Sequence, residues 1–302
     1  MARERSGEAA VLEGVVIRRR PSPIGNIVRF IRIKPLGAVG GFIFLAIVAA
    51  ALVAPYIAPH DPYEVNTTMI FKPPSTQFLL GTDSHGRDIL SRIIWGSRIS
   101  LCVGILAAAI GTTTGTILGA VSAYYGGKVD LIIQRIIDSL MAFPALILAL
   151  TIMAALGQSL NNVVIALSII AIPAASRTVR SVALSIKETQ YIEAAKAIGC
   201  ADRRVISLHI LPNCAAPYLI MVAYQVGRAI LTEASLSFLG VGIPPPEPSW
   251  GGMLVGGAQQ YLQLAPWAAF FPGIAISLAV FSSNILGDAL RDFLDPRLRG
   301  TQ

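Results

Sequence analysis

Two ionisable residues, Arg228 and Glu233, stand inside the apolar run 214–238. An ionisable side chain is costly to place in a hydrophobic segment, so it usually binds an ion, carries a proton or pairs with another group. If a helix begins near Cys214, Arg228 lies about 21 Å along it at about 1.5 Å per residue, and Glu233 lies close to its far end. Three hypotheses follow for that end of the segment: a structural contact, an outer gate, and proton coupling through Glu233.

Metal and nucleotide chemistry have little support in the sequence. No two cysteines share the spacing of metal ligands, and the histidines are far apart; the residues concerned are Cys102, Cys200, Cys214, His60, His85 and His209. The stretch YGGKVD fails as a phosphate-binding loop, because Val129 replaces the required Ser or Thr and Ser122 replaces the first Gly. We therefore expect a non-catalytic chain with no metal and no cofactor of its own.

The elements that position these residues are predicted to be membrane helices. Of the 302 residues, 54% are hydrophobic and only 14% are charged, whereas a soluble domain has about 25% charged residues. A membrane span needs about 20 mainly apolar residues, and in lipid its backbone must satisfy its own hydrogen bonds. The sequence predicts an all-α integral membrane protein with six transmembrane helices, at about 36–59, 99–124, 133–157, 161–182, 214–238 and 265–288.

The distribution of charge predicts how these helices are oriented. Residues 1–36 hold eight basic and three acidic side chains, and basic segments beside a membrane helix usually remain in the cytoplasm. Six helices then place both termini on that side. We expect a basic cytoplasmic segment at 1–35, a six-helix domain at 36–290 and a cytoplasmic tail at 291–302. Within the domain, the outer loops are predicted at 60–98 and 239–264 and the cytoplasmic loop at 183–213. A short helix on the outer surface is predicted at 87–98.

The cytoplasmic loop 183–213 has the pattern of a small helix-turn-helix. A first helix is predicted at 182–198, with Gly199 as its stop in a left-handed conformation. Asp202 suits the N-cap of a second helix, which Pro212 would end or kink. The small side chains of Ala194 and Ala195 would let a partner approach, and Glu193 would offer it a carboxylate. A rigid pair of short helices of this kind fits a groove on another protein.

Four stretches together resemble one family of transport proteins. The segment EAAKAIGCADRRVISLHILPN, residues 193–213, closely resembles the EAA loop of ABC importer permeases. The other three stretches resemble the permeases of the dipeptide, oligopeptide and nickel family, C type. They are LGTDSHGRDILSRIIWGSR at 80–98, EASLSFLGVGIPPPEPSWGGML at 233–254 and LGDALRDFLDPRLRG at 286–300. The similarity implies the type I importer fold in the plasma membrane of a prokaryote.

The resemblance also implies partners and roles. A second homologous permease subunit, two ATPase subunits holding ATP and Mg, and an external substrate-binding protein would complete the transporter, and no nucleic acid is expected. The residues of this chain that match the coupling motif are Glu193, Ala194, Ala195, Gly199, Asp202, His209, Pro212 and Asn213. We expect His209 to hold the second cytoplasmic helix to the membrane helices.

Two further groups are candidates for the translocation pathway. Met141, Phe143 and Pro144 interrupt the third apolar run, and Tyr224 and Gln225 are polar groups midway along the fifth. Ordinary helix packing is the alternative for Met141, Phe143 and Pro144. For the whole chain, the hypothesis is an importer permease for peptides. The alternatives are a permease for nickel or another small solute and, from a different class, an ion-coupled secondary transporter that uses Glu233.

Overall fold

The computed structural model describes residues 30–258 and 262–294, and also two short strands nearer the N-terminus. These strands, β1 (Val11–Leu12) and β2 (Val15–Val16), pair antiparallel. Most of the predicted segment 1–35 and tail 291–302 lie outside the described residues, as do residues 259–261. Everything else in the described regular structure is helical, which confirms the all-α prediction for the membrane part.

The helices follow one another with short breaks. The first half holds α1 (Pro35–Leu52), α2 (Ala54–Ile57), a 3-10 turn (Thr67–Met69), α3 (Ile89–Tyr125), α4 (Gly127–Met141) and α5 (Ala145–Leu156). Next come α6 (Leu160–Lys187), α7 (Gln190–Ala197), α8 (Asp202–Val205), a π-helical stretch (Ile206–Ile210) and α9 (Leu211–Asn213). The chain continues with α10 (Ala215–Phe238), α11 (Trp250–Ala258) and α12 (Trp267–Leu294).

Four helices are long and apolar enough to cross a membrane without a break: α1, α3, α6 and α12. Two bent pairs raise the number of spans to as many as six. In the first pair, α4 and α5 meet at 92°, and in the second the stretch Asp202–Asn213 meets α10 at 62°. The interruption predicted at Pro144 is therefore a complete break of the helix, since the ring of proline cannot continue the hydrogen-bond ladder.

Two predicted helices have different bounds in the structure. The separate surface helix expected at 87–98 is wrong, because these residues largely form the first turns of the long helix α3. Asp88 caps α3 by accepting a hydrogen bond from the Ser91 amide at 2.9 Å, and nothing interrupts the helix before Gly126. The continuous helix expected at 182–198 is also wrong, since α6 runs to Lys187 and a break at residues 188–189 precedes α7.

Helices α3 and α6 pack closely over more than two turns. An added Cβ at Gly111, Gly115 or Gly119 of α3 would lie only 2.4–2.5 Å from a carbonyl oxygen of α6. The two backbones are therefore in direct contact, as small residues allow between membrane helices. This seam gives the bundle a rigid centre against which the other elements pack.

The contacts define two ends of the bundle. Helices α10 and α12 are antiparallel neighbours: Tyr224 of α10 packs on Gly287 of α12, whereas Gly227, later in α10, packs on the Val280 carbonyl, earlier in α12. The end of α12 therefore lies beside the start of α10 and the residues that precede it. The start of α1 is at the same end, where Lys34 pairs with Asp292 at 2.6 Å. We call this the segment end, because residues 188–213 pack there. The opposite end, which carries residues 58–88, 239–258 and 262–266, is the loop end.

Candidate functional site

At the segment end, residues 188–213 form a compact structure on the ends of α3 and α6; we call it the 188–213 segment. Its apolar side chains Ile192, Val205 and Ile210 are fully buried. They belong to one cluster with Ala120, Ala123 and Tyr124 of α3 and Val179 and Ala183 of α6. Burying each such aliphatic side chain is worth about 1.5–3 kcal/mol, so the segment is fixed to the seam of the bundle.

Tyr124 is the residue that links both short helices of the segment to the membrane helices. Its hydroxyl donates to the Asp202 carboxylate at 2.5 Å, and the Lys196 ammonium lies 4.8 Å from the centre of its ring. One side chain of α3 therefore contacts α7 through Lys196 and α8 through Asp202. Sequence reasoning missed Tyr124, because it lies about 70 residues earlier in the chain than the motif and only the fold brings them together.

The turn of the segment contains one confirmed prediction and one error. Gly199 has a φ of +80°, the left-handed conformation that was expected of it. No atom lies within 4 Å of a Cβ added there, so the need for glycine comes from the backbone alone. Asp202 is not an N-cap: Ala201 occupies that position without a side-chain bond, and Asp202 is the first helical residue, bound instead to Tyr124.

The outward face of the segment is different from the predicted one at Ala195. Glu193 and Ala194 are exposed, but Ala195 is only 8% exposed and packs on the chain itself. Ile198 is 86% exposed, because the helix ends at Ala197 and the chain turns there. Among the described residues the Glu193 carboxylate has no hydrogen-bond partner, so it is available at the surface.

His209 and Asn213 contribute to the internal structure of the segment. The Asn213 amide donates to the His209 carbonyl at 2.6 Å and to the Tyr191 hydroxyl at 3.4 Å. The rings of Tyr191 and His209 are 6.3 Å apart. His209 therefore joins the second part of the segment to α7, and not to the membrane helices as expected. Pro212 is exposed in α9, next to the bend into α10.

The pathway candidates fall into two separate places. Met141, Phe143 and Pro144 are exposed at the break between α4 and α5. Gln225 is buried, where it donates to the Ala171 carbonyl of α6 at 3.3 Å, and it shares a small cavity with Ala145, directly after the break. Tyr224 instead faces α12 and donates to Asp288. The structure thus brings Gln225 to the helix break and places Tyr224 elsewhere.

The two intramembrane charges do not meet. Arg228 is exposed and lines the same cavity as Gln225. Glu233 has no exposed surface; its carboxylate accepts from the Ser237 hydroxyl at 2.8 Å and from the Ser100 hydroxyl at 3.3 Å. Arg228 therefore belongs with the helix break, whereas Glu233 belongs with the packing of the loop end.

The two loops at the loop end are joined by polar contacts. The Tyr63 hydroxyl donates to the Glu247 carboxylate at 3.0 Å, and the Trp267 indole donates to the Thr82 carbonyl at 3.3 Å. Burial, the hydrogen bond to Glu247 and the negative charge of Glu247 raise the pKa of Tyr63 above its ordinary value. Among the described residues, no group of three or more His, Cys, Asp and Glu side chains is placed to hold a metal ion.

Similarity to known proteins accounts for this architecture. Residues 111–300 match the family described as binding-protein-dependent transport system inner membrane component. Residues 22–74 match the N-terminal TM domain of oligopeptide transport permease C. The dipeptide transport system permease protein DppC of Alkalihalophilus pseudofirmus is 41% identical over 278 residues, which are 92% of this chain and 91% of that protein.

Other relatives carry different substrate names. The glutathione transport system permease protein GsiD of Pectobacterium atrosepticum is 43% identical over 272 residues, 90% of each chain. The di/tripeptide transport system permease protein DppC of Pseudomonas aeruginosa is 40% identical over 270 residues, 87% of this chain and 89% of that one. All three are permease subunits, and each is similar over nearly its full length.

The bundle of membrane helices and these similarities define a multi-pass inner membrane permease. The chain belongs to the family of binding-protein-dependent transport system inner membrane components and has the type I importer permease fold of that family. This is the class predicted from the EAA-like segment, and it favours the importer hypothesis over an ion-coupled secondary transporter.

Proposed function

We propose that this permease forms half of a translocation pathway for peptides, beside a second homologous permease subunit. Relatives over 40% identical are named for the transport of dipeptides and glutathione, which is itself a short peptide. Nickel or another small solute is the alternative substrate for the same kind of permease. An external binding protein would select the substrate and deliver it to the loop end.

Coupling to an ATPase is supported by the difference between the two sides of the 188–213 segment. Its inner side is fixed to α3 and α6 by buried Ile192, Val205 and Ile210, while its outer side presents Ile198 and Glu193. An exposed isoleucine with a neighbouring carboxylate suits a groove on another protein. We infer that this groove belongs to a separate ATPase subunit, which holds ATP and Mg, and that this chain hydrolyses no ATP by itself.

The mechanism follows from which parts are rigid. When the ATPase subunits close on ATP, the 188–213 segment would move with α3 and α6, because the Gly111–Gly119 seam leaves these helices no room to slide. The break at residues 142–144 would absorb the difference in position, since Ala142 and Pro144 each make a backbone hydrogen bond only to the helix on their own side, to Asp138 and Leu148. Rigid bodies that rotate about a few flexible residues are the usual basis of alternating access. Exposed Met141, Phe143 and Arg228 would then face the pathway.

The proposed orientation places the segment end in the cytoplasm. The basic residues of 1–36 and the excess of basic over acidic residues in 177–213 favour this side. We propose the same domain limits as the sequence predicts, except that the cytoplasmic coupling element is residues 188–213 and not 183–213. The loop end, which holds Tyr63 and Glu247, would face the binding protein.

A substitution at Ile198 tests the coupling role. Ile198→Asp should abolish association with the ATPase subunits and reduce ATP-dependent peptide uptake at least tenfold in reconstituted vesicles, because it puts a charge in an apolar contact. Val65→Asp is the matched control for association with the ATPase subunits, since Val65 is an exposed aliphatic residue of the opposite, loop end, at 56% exposure. Normal uptake and normal association in the Ile198 variant would refute coupling through this face.

The substrate is tested separately with the unmodified complex. A labelled dipeptide should accumulate in vesicles that contain the complex, its binding protein and ATP, and unlabelled dipeptide should compete while nickel should not. Uptake of nickel without uptake of any peptide would support the alternative substrate and would leave the coupling result unchanged.

A further inference from the structure

The Glu233 carboxyl is enclosed by serine hydroxyls. It has no exposed surface, and it accepts from Ser237 at 2.8 Å and from Ser100 at 3.3 Å. Ser249 is a third polar neighbour of the same carboxyl. No basic side chain among the described residues forms an ion pair with it. A buried carboxyl needs its hydrogen bonds satisfied, because an unmet polar group in a low-dielectric interior is costly.

These three serines come from three different elements. Ser100 lies on α3 and Ser237 on α10, four residues after Glu233, while Ser249 directly precedes α11. Ser100 also accepts from the backbone amide of Trp250 at 3.3 Å, so it bonds to both the carboxyl and the start of α11. One carboxyl therefore connects two membrane helices with the short helix α11 of the second outer loop.

The start of α11 fits closely onto the same two helices. The indole of Trp250 is buried and donates to the Ile93 carbonyl of α3 at 3.0 Å. Gly251 lies against α10, where an added Cβ would be 2.5 Å from the Ala234 Cα. Such close packing leaves little freedom in where α11 can sit, and the polar contacts around Glu233 determine its orientation.

We propose that Glu233 is a positioning residue that fixes α11 across the loop-end termini of α3 and α10. The inference goes beyond the proposed function, since it holds for any solute that the permease carries. It assigns to Glu233 a hydrogen-bonding role and not the transfer of a proton. A serine hydroxyl both donates and accepts, so a glutamine amide at position 233 can satisfy the same three serines. Alanine cannot, and aspartate is one methylene too short.

Backbone hydrogen exchange in the purified full-length chain tests this role directly. In Glu233→Ala, the amides of residues 250–255 should exchange at least tenfold faster than in the unmodified chain. In Glu233→Gln their exchange should stay within about twofold of the unmodified chain. The amides of α7 at the opposite end should not change in either variant. Unchanged exchange at 250–255 in Glu233→Ala would overturn the proposal.

Two serines of α10 provide a matched pair of milder variants, in case Glu233→Ala fails to fold. Ser237→Ala removes a hydroxyl that donates to Glu233, whereas Ser235→Ala removes one that donates at 2.9 Å only to the Leu231 carbonyl of its own helix. Faster exchange at 250–255 in Ser237→Ala alone is the expected result. Equal effects of the two substitutions would contradict the proposal.

Transport by the complete complex separates positioning from proton coupling. Glu233→Gln cannot carry a proton but keeps the hydrogen bonds, so uptake should remain within about twofold of normal. Complete loss of uptake in Glu233→Gln, with normal exchange at 250–255, would show that the ionisable group itself is required. Failure of peptide uptake in the unmodified complex would concern the substrate assignment and would leave the exchange result valid.

Discussion

Tyr124 shows how a single side chain can connect a membrane helix to the 188–213 segment. It is 5% exposed, yet its hydroxyl reaches Asp202 and its ring faces Lys196. Neighbouring Tyr125 packs edge-on against it at 5.2 Å and is 48% exposed. The two adjacent tyrosines therefore have different surroundings: Tyr124 contacts the segment, while much of Tyr125 is exposed.

We predict that Tyr124→Phe lowers uptake by the complex about three- to tenfold. The substitution removes the hydrogen bond to Asp202, worth about 1 kcal/mol or more for a charged acceptor, but it keeps the buried ring. Uptake and ATP hydrolysis would be measured together in vesicles. Tyr125→Phe should behave normally, and an equal loss in both variants would show that the bond to Asp202 has no special role.

Gly199 permits a second prediction at the residue scale. Gly199→Val should cost about 1 kcal/mol or more, because φ of +80° is unfavourable for a side chain. Gly199→Asn should cost much less, since asparagine tolerates this conformation. The comparison isolates the backbone effect, because no atom lies within 4 Å of a Cβ added at this position. Binding of the ATPase subunits is the measurement, and similar binding by the two variants would argue against a conformational role.

At the scale of elements, the sequence predicted the number and type of helices better than their breaks. Long apolar runs indicate spans because lipid excludes unsatisfied backbone, and Pro144 marked the break between α4 and α5. The extension of α3 back to Ile89 was not predicted, because charged Arg92 looked like a surface residue. In the structure Arg92 is buried and donates to the Pro62 carbonyl at 2.8 Å. That partner is distant in sequence, so only the fold reveals it.

The seam between α3 and α6 makes a prediction about stability. Gly115→Ala should lower the free energy of unfolding by about 1–3 kcal/mol, the usual cost of overpacking, because its Cβ would lie 2.5 Å from the Ile172 carbonyl oxygen. Gly273→Ala in α12 is the control, since nothing lies within 4 Å of its Cβ. Thermal unfolding in detergent would compare them. Equal melting temperatures would mean that the seam can separate without cost.

Helix α4 is attached to α6 by two ion pairs of unequal quality. Asp130 accepts two hydrogen bonds from Arg180, at 2.7 and 2.5 Å, and a third from Ser122. Asp138 accepts one bond from Arg177 at 2.6 Å and is more exposed. We predict that Asp130→Asn destabilises the protein by about 1–2 kcal/mol and Asp138→Asn by less than about 1 kcal/mol. The reverse order in thermal unfolding would be inconsistent with this account.

At the scale of the whole molecule, the candidate site depends on contacts between residues that are far apart in the sequence. This limits what the sequence alone could predict. The motif 193–213 identified the segment and the left-handed Gly199, because both are local. The outward direction of Ile198 and the burial of Ala195 depend on how the segment sits on α3 and α6. The separation of Arg228 from Glu233 depends on the packing of α10, since residues five apart on a helix project in different directions.

The last prediction concerns which end of the molecule faces the cytoplasm. In a background without Cys102, Cys200 and Cys214, a single cysteine at Gln77 of the loop end and another at Arg203 of the segment end report the two sides, since both positions are exposed. A membrane-impermeant maleimide added to intact cells should label position 77 within minutes and position 203 only after the membrane is opened. The physical reason is the basic excess near the segment end, which favours retention in the cytoplasm. If position 203 were labelled in intact cells and position 77 were not, the segment end would lie outside, and coupling to an ATPase would have no basis. If both positions were labelled, a cytoplasmic marker protein would show whether the cells were leaky.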